Sequence, residues 1–197
     1  YKQPSTAELA HDYLWRCVIN LPKRGMISLF NRSYYEDVLV VKVHKLYETY
    51  KMAERCLDEK TFIKKRFKQI RNFEEYLYDN SYRVVKIFLN VSADTQKERF
   101  LERLERPEKH WKFSSSDIPE RELWNEYNEA YEETVNETST KECPWYVIPA
   151  DQKWYSRYLV SEAILDTLKK IDPQYPEVPE EEEAKYPEYI AKLNAEE

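Results

Sequence analysis

The sequence predicts an α/β domain with a mostly parallel sheet. Three short apolar runs, at residues 25–30, 83–91 and 144–149, have the length and the β-branched content of buried strands. Longer segments with helical periodicity separate these runs, and strands that alternate with helices form parallel sheets. Three strands are few for a sheet that is covered by helices on both faces.

Capping residues and prolines set the first elements. Ser5 and Glu8 have the spacing of a capping box, so a helix is expected from Ser5 until Pro22. The strand at 25–30 follows it. Residues 34–58 are ambiguous, because VLVVKV favours a strand whereas HKLYETYKMAERCL favours a helix.

Apolar residues at helical spacing define two further helices. Residues 61–80 carry such a face and are predicted to form a helix that leads into the strand at 83–91. A highly charged helix is then expected from Ser92 or Asp94 to about Arg106.

The last two helices flank the third strand. Asp117, followed by Pro119 and Glu120, has the pattern of a helix start. The final helix, after 144–149, is predicted to turn its larger apolar side chains toward the core. These are Trp154, Tyr158, Leu165 and Leu168.

Charge and glycine content narrow the kind of site. The net charge is −6, but residues 172–197 hold nine acidic and two basic residues, a balance of −7 that leaves +1 for residues 1–171. We therefore expect an acidic Pro/Glu-rich tail at 172–197 and a near-neutral body with room for basic patches.

Gly25 is the only glycine of the sequence, whereas a chain of this length has about 14 glycines at average usage. A glycine-rich phosphate loop is thus excluded from this chain.

Several other classes are disfavoured. No run of about 18 apolar residues exists, so no membrane span is expected, and we expect no nucleic-acid partner. Cys17, Cys56 and Cys143 stand far apart, which favours reduced thiols and a cytoplasmic location over disulfides or a zinc site. The three histidines lie in no nucleophile motif, and no HExxH or EF-hand spacing occurs.

A polar cluster follows the first predicted strand. Asn31, Arg32 and Ser33 come directly after residues 25–30, and Glu36 and Asp37 follow. The carboxyl ends of strands in open α/β sheets are where ligands bind. Arg32 either holds an anionic ligand there or forms an internal ion pair with one of the two carboxylates.

A second cluster is cationic and spans a helix, a loop and the next helix. It comprises Arg99, Arg103, Arg106, Lys109, Lys112 and Arg121. Arginine forks and lysine point charges suit multiple phosphates. Glutamates interleave with these cations, however, and pairing at i,i+3 or i,i+4 would neutralise them instead.

Four segments together resemble one family. ELAHDYLWR, FNRSYYEDVLVVKVH, RPEKHWKFSSSDIPERELWNEYNEAYE and TSTKECPWYVIPADQKWYSR are similar to the polyphosphate kinase 2 family, and the resemblance runs from about residue 2 to residue 171. It implies a three-layer P-loop kinase-like domain with a helical lid at about 99–121. It also implies a phosphotransferase that moves a phosphoryl group between inorganic polyphosphate and a nucleoside mono- or diphosphate (AMP and/or ADP) with Mg²⁺, and a homo-oligomer.

The resemblance also assigns roles to residues. FNRS corresponds to the Walker B strand end, so Arg32 would hold a phosphate, and Asn31 stands where many relatives have aspartate. Asp37 would be the acidic catalytic group, either as a magnesium ligand or in positioning the acceptor. The phosphate-binding role of the lid falls on Arg103, Lys109, Lys112 and Arg121, with Lys153 and Arg157 as secondary candidates.

The chain departs from the family pattern at its beginning. Members carry a strand, a glycine-rich Walker A loop, a helix and another strand upstream of the segment where this chain starts. In the related folds the Walker A strand lies between the strands that correspond to 25–30 and 83–91, so its loss would leave a gap in the sheet. We expect residues 1–171 to be the C-terminal portion of such a domain, which alone would fold poorly and be inactive.

Two alternatives stay open. The chain would be a non-catalytic module that binds polyphosphate or a protein if the P-loop has been lost. It would be part of a nucleoside monophosphate kinase if ATP rather than polyphosphate is the donor.

Overall fold

One parallel strand pair lies at the centre of the fold. In the computed structural model, which describes residues 4–195, β1 (Lys86–Asn90) pairs with β2 (Trp145–Pro149). Lys86 lies opposite Trp145 and Asn90 opposite Pro149, so both carboxyl ends reach the same edge. The predicted strands at 83–91 and 144–149 are thereby confirmed.

Helices make up most of the rest of the described chain. They are α1 (Thr6–Leu9), α2 (Trp15–Val18), α3 (Val40–Val43), α4 (Glu59–Asp79), α5 (Ala93–Glu105), α6 (Asp117–Glu122), α7 (Trp124–Thr138), α8 (Lys153–Ile171), α9 (Glu180–Glu183) and α10 (Tyr186–Asn194). Four 3₁₀ turns accompany them, at Tyr34–Asp37, Leu46–Thr49, Glu54–Cys56 and Pro107–Lys112. α5, α6 and α7 form the crossover between the two strands. None of these helices is long and apolar enough to cross a membrane.

The main core forms where α4 packs on α7. Phe67 and Ile70 of α4 are fully buried against Ala130 of α7 and against Val38 and Leu39, which follow the first 3₁₀ turn. Each of the large side chains contributes about 1.5–3 kcal/mol by leaving water. The helical spacing of 61–80 predicted this face correctly.

A buried polar network joins this core to the sheet. Lys86 Nζ lies 2.6 Å from Glu74 Oε2 and donates to Thr138 O at 2.7 Å. Tyr34 and Tyr35 each donate a hydroxyl to Glu74 Oε1, at 2.8 and 2.7 Å. Burial lowers the pKa of Lys86, and Glu74 opposes that shift. The network ties α4, β1, α7 and the turn Tyr34–Asp37 together.

The strand predicted at 25–30 is wrong for the described chain. This segment belongs to no strand within residues 4–195, Gly25 lies in a turn, and Met26, Ile27 and Leu29 are 67%, 78% and 92% exposed. A strand is stable only where a neighbour satisfies its backbone groups, and within residues 4–195 no strand lies beside this segment. Residues 34–58 are resolved as α3 and 3₁₀ turns rather than as a strand or one helix.

The inward face predicted for the last helix is wrong for three of its four residues, since only Leu168 is half-buried. Trp154, Tyr158 and Leu165 are 69%, 54% and 44% exposed, whereas Ser156 and Ala163 are the buried residues of α8. The small side chains let α8 approach the sheet closely. The tail after Ile171 forms α9 and α10, and no residue of either helix is buried.

Replacing Lys86 by methionine tests the buried network. We expect Lys86→Met to lower the free energy of unfolding by about 3–5 kcal/mol, because Glu74 becomes an uncompensated buried charge. Urea denaturation followed by circular dichroism measures this. Adding Glu74→Gln should recover part of the loss, and Lys169→Met, at an exposed position, should change stability by less than about 0.5 kcal/mol. A single variant as stable as the wild type would contradict the network's role.

Candidate active site

The Asn31–Arg32–Ser33 corner is exposed and strained. Ser33 Oγ accepts a hydrogen bond from Tyr35 N at 3.3 Å and so begins the turn Tyr34–Asp37. Arg32 has a φ of +61°, a left-handed conformation that costs a residue other than glycine about 1–2 kcal/mol. Arg32 is also exposed to solvent. Such strain concentrates at ligand-binding sites, so the corner is a site candidate on backbone geometry as well as on charge.

Glu120 of α6 connects the lid segment to His44, which follows α3. Its Oε2 accepts a hydrogen bond from Tyr127 at 2.6 Å and lies 3.0 Å from His44 Nε2. Burial raises the pKa of Glu120, but these contacts and the positive charge of Arg32 outweigh it and hold that pKa below its usual value. Arg32 also opposes the rise that burial causes in the pKa of Glu36. Arg32 and α6 are therefore electrostatic neighbours.

Arg121, the next residue of α6, reaches the carboxyl end of β1. Its Nη1 donates to Ala93 O at 2.9 Å and to Gln96 Oε1 at 2.7 Å, both in the first turns of α5. Consecutive residues of one short helix thus contact different parts of the chain, Glu120 the side chains of His44 and Tyr127 and Arg121 the start of α5.

The loops that follow the two strands are joined to each other. Ser92 N donates to Asp151 Oδ1 at 2.7 Å, and this bond lowers the pKa of Asp151. Arg99 donates to Ala150 O at 2.8 Å and to Asp151 O at 3.0 Å. Arg99 thereby fixes the carboxyl edge of the sheet, which is where open α/β sheets bind ligands.

The remaining lid cations are mostly paired with carboxylates. Lys109 binds Glu102, and Arg103 Nη1 lies 3.6 Å from Asp117 Oδ2. Lys112 is exposed and stands over the Trp111 ring at 5.0 Å. Partly exposed pairs of this kind contribute about 0–1 kcal/mol. These carboxylates therefore hold the lid cations only weakly.

Lys153 and Arg157 lie on the exposed first turns of α8. Lys153 lines a groove with Arg99 and Asp151, beside the carboxyl edge. The structure therefore places Lys153 near the strand ends.

Asp37 does not fit the predicted role of magnesium ligand. Its side chain is 6% exposed, its Oδ2 lies 2.5 Å from Arg66 Nε, and its Oδ1 accepts a hydrogen bond from Tyr50 at 3.0 Å. The Arg66 guanidinium stacks on the Tyr13 ring at 4.1 Å and on the Phe62 ring at 4.8 Å. Burial raises the pKa of Asp37, against the opposing charge of Arg66. Asp37 is a buried ion-pair partner, and we derive no metal step through it.

The other potential metal ligands of the described chain do not form a cluster. Within residues 4–195 no three His, Cys, Asp or Glu side chains are arranged to hold an ion. The magnesium requirement therefore stays a prediction without an assigned protein ligand.

Sequence reasoning missed the contacts of Glu120. The pattern around it predicted a helix start, and α6 does begin at Asp117, although Ser116 rather than Asp117 is the N-cap residue. No sequence signal pairs Glu120 with His44, which is 76 residues away. Only the packing of α3 against α7 brings them together.

Glycine and alanine variants of Arg32 isolate the backbone strain. We expect Arg32→Gly to be more stable than Arg32→Ala by about 1 kcal/mol, because alanine retains the strain at positive φ and glycine relieves it. Denaturation midpoints and slopes give the difference. At Arg83, whose φ is not positive, the order should reverse. If the alanine variant were the more stable one at position 32 as well, the backbone of Arg32 would not be strained.

Asp37→Asn separates the ion-pair role from a metal role. We expect the free energy of unfolding to fall by about 3–5 kcal/mol, because Arg66 loses its anionic partner while buried. The loss should be the same with and without added Mg²⁺. If Mg²⁺ stabilised the wild type but not the variant, binding linkage would identify Asp37 as a ligand after all. The double variant Asp37→Asn/Arg66→Met, which removes the buried charge, is the control.

Comparisons with known proteins agree with the resemblance. Residues 1–176 match the family model Polyphosphate kinase 2 (PPK2). The chain is 46% identical over 178 residues to an ADP-polyphosphate phosphotransferase of Rhodopseudomonas palustris, covering 90% of this chain and 62% of that protein. It is 45% identical over 174 residues to an AMP/ADP-polyphosphate phosphotransferase of Meiothermus ruber, covering 88% of this chain and 61% of that protein.

A solved structure shows the same similarity in three dimensions. The polyphosphate kinase 2 of Arthrobacter aurescens superposes with a TM-score of 0.81 at 38% identity, covering 91% of this chain and 59% of that one. The chain spans about three fifths of the length of these relatives. It belongs to the polyphosphate kinase 2 family.

Proposed function

We propose that the protein transfers a phosphoryl group between inorganic polyphosphate and a nucleoside mono- or diphosphate, AMP or ADP. The observation that carries this is the position of α6. Glu120 lies within electrostatic range of Arg32, and Arg121 contacts the first turns of α5 at the end of β1. On this proposal, cations from the corner and the lid would border one edge of the sheet. The names of the relatives support the substrate classes.

The chemistry needs positioning and positive charge. Phosphoryl transfer passes through a loose transition state whose charge spreads over the equatorial oxygens, so little covalent work falls on the protein. Arg32 would bind phosphate oxygens at the corner. Arg103 and Lys109 would exchange their carboxylate partners for phosphates, and closure of the lid would exclude water.

The proposal includes a partner for the exposed segment 25–30. The side chains of Met26, Ile27 and Leu29 are exposed, and β1 pairs on one side only within the described chain. A further strand of a longer protein, placed between segment 25–30 and β1, would cover these apolar side chains. It would also bring a phosphate-binding loop to the carboxyl edge of the sheet. On this view residues 1–171 are the C-terminal portion of the domain and residues 172–197 an acidic tail. The protein would be a cytoplasmic, Mg²⁺-dependent homo-oligomer.

A fusion protein tests this function. We expect the chain joined to the preceding residues of the Rhodopseudomonas palustris relative to form ATP from ADP, or ADP from AMP, with polyphosphate as donor. The chain alone should show no turnover. In the fusion, Arg32→Ala should lower kcat at least about tenfold, since a catalytic arginine can contribute about 10³–10⁵ in rate. The exposed Arg83, which precedes β1 at the opposite end of the strand, supplies the control Arg83→Ala.

The other outcomes each identify a different function. Turnover with ATP but not polyphosphate as donor would indicate a nucleoside monophosphate kinase. Polyphosphate binding without turnover by the fusion would indicate a binding module. An unchanged rate for Arg32→Ala would remove Arg32 from the site.

A further inference from the structure

The segment that follows α8 has a three-residue repeat. Residues 172–180 read DPQ, YPE and VPE, with proline at the centre of each unit, and Glu180 begins a run of glutamates that ends at Glu183. Prolines at this spacing favour the polyproline II helix, which has three residues per turn. Pro179 has that conformation, with a φ of −57° and a ψ of 136°. We call residues 172–183 the strap, and its glutamate run lies beyond residue 176, where the family match ends.

One edge of the strap is apolar and faces water. Tyr175 and Val178 are three residues apart, so in a polyproline II helix their side chains lie on the same edge. Tyr175 is 98% exposed, and Val178 is exposed as well. An apolar edge of this kind gains free energy when another apolar surface covers it.

The outer face of α8 supplies such a surface. Trp154, Tyr158 and Leu165 follow one another at intervals of four and seven residues, which places them in one stripe along the helix, here called the outer stripe. All three are exposed, and the buried residues of α8, Ser156 and Ala163, lie on the opposite side. Two exposed apolar surfaces therefore stand directly before and directly after the end of α8.

The end of α8 allows the chain to reverse its direction. Asp172 caps the helix in the left-handed conformation, with a φ of +49°, and such residues commonly end helices. Pro173 then prevents the helix from continuing. α8 has 19 residues and is about 28 Å long, and residues 172–179 span about 25 Å as a polyproline II helix. A strap that runs back along α8 therefore reaches its first turns.

The spacing of the apolar side chains agrees with this arrangement. Tyr175 and Val178 are about 9 Å apart in a polyproline II helix, and Leu165 and Tyr158 are about 10 Å apart along α8. In an antiparallel strap, Tyr175 would pack on Leu165 and Val178 on Tyr158. The same register carries the glutamate run to the beginning of α8.

Opposite charges meet at that end. Lys153 and Arg157 are exposed on the first turns of α8, and Lys153 lines the groove beside the carboxyl edge of the sheet. The run Glu180–Glu183 would bring closely spaced carboxylates to these two cations. The strap and the outer face of α8 are therefore complementary in length, in apolar spacing and in charge.

We propose that the strap folds back along α8 of the same chain and acts as an autoinhibitory segment. In the closed arrangement, Tyr175 and Val178 cover the outer stripe, and Glu180–Glu183 occupy Lys153 and Arg157. The structure shows the open arrangement, in which the strap is exposed. Polyphosphate competes with the glutamates for the two cations and so opens the strap. The contact is independent of the proposed function, whereas the competition rests on it, because polyphosphate is a substrate of that reaction.

Carbodiimide cross-linking of the 197-residue chain tests the contact. The reagent joins a carboxylate directly to a neighbouring lysine, and peptide mass spectrometry identifies the joined residues. We expect Glu180–Glu183 to be joined to Lys153 at least about five times more often than to Lys169, which is exposed near the other end of α8. Tyr175→Ser/Val178→Ser should abolish this preference. Mixing isotope-labelled with unlabelled protein shows whether the links form within one chain.

Calorimetric titration of the fusion protein with polyphosphate tests the competition. We expect Tyr175→Ser/Val178→Ser, which leaves the charge unchanged, to bind polyphosphate about 3- to 10-fold more tightly, because the open state no longer has to be selected. Replacing the four glutamates of Glu180–Glu183 by glutamine should act in the same direction.

Tyr186→Ser/Tyr189→Ser is the matched control. Both tyrosines are exposed on α10, outside the strap, and this variant should bind polyphosphate like the wild type. Circular dichroism of each variant excludes a change of fold as the cause of altered binding.

Three results would each overturn the inference. The first is cross-linking to Lys153 that is no more frequent than cross-linking to Lys169, the second is cross-linking between copies only, and the third is unchanged polyphosphate affinity in both strap variants. If the strap variants bind polyphosphate more tightly but the fusion transfers no phosphoryl group, the proposed function fails and the strap stands. If the fusion turns over with the same KM for polyphosphate in the strap variants, the strap fails and the function stands.

Discussion

The buried ion pair between Glu74 and Lys86 fixes the position of the Arg32 corner of the candidate site. Removing both charges from water costs several kcal/mol per ion, and only good geometry with further hydrogen bonds offsets that cost. Here Thr138 O and the hydroxyls of Tyr34 and Tyr35 supply those bonds. Because the two tyrosines follow the Arg32 corner directly, a network at the amino end of β1 determines where that corner lies.

A second buried pair holds the same turn at its other end. Asp37 closes the turn Tyr34–Asp37 and is bound to Arg66 of α4, which lies about two helical turns before Glu74. With both ends attached to α4, the chain has little freedom to relax the positive φ of Arg32. Strain of about 1–2 kcal/mol persists only where the surroundings over-determine the backbone. The turn formed by YYED is thus held rigidly against α4, and it positions the exposed side chain of Arg32.

The sequence predicted those elements whose partners lie within the described chain. The strands at 83–91 and 144–149 pair with each other, and the helix at 61–80 packs on α7, so local pattern and tertiary structure agree. The segment 25–30 has the right composition for a strand, but no strand lies beside it within residues 4–195, and composition does not supply one. Asp37 shows the same limit in the site. Whether a carboxylate meets a metal or a guanidinium depends on Arg66, 29 positions later, and no local spacing encodes that contact.

The paired lid cations show that the two interpretations of the charge pattern are compatible. Interleaved glutamates do neutralise the lid, as at Lys109 and Glu102. Neutralisation by partly exposed carboxylates is worth at most about 1 kcal/mol per pair, whereas charge-assisted bonds to phosphate, repeated along a polyanion, exceed that sum. Carboxylates that hold the cations in place without ligand also limit like-charge repulsion in the open lid. The phosphate-binding role proposed for the lid is therefore compatible with the ion pairs that its cations form in the structure.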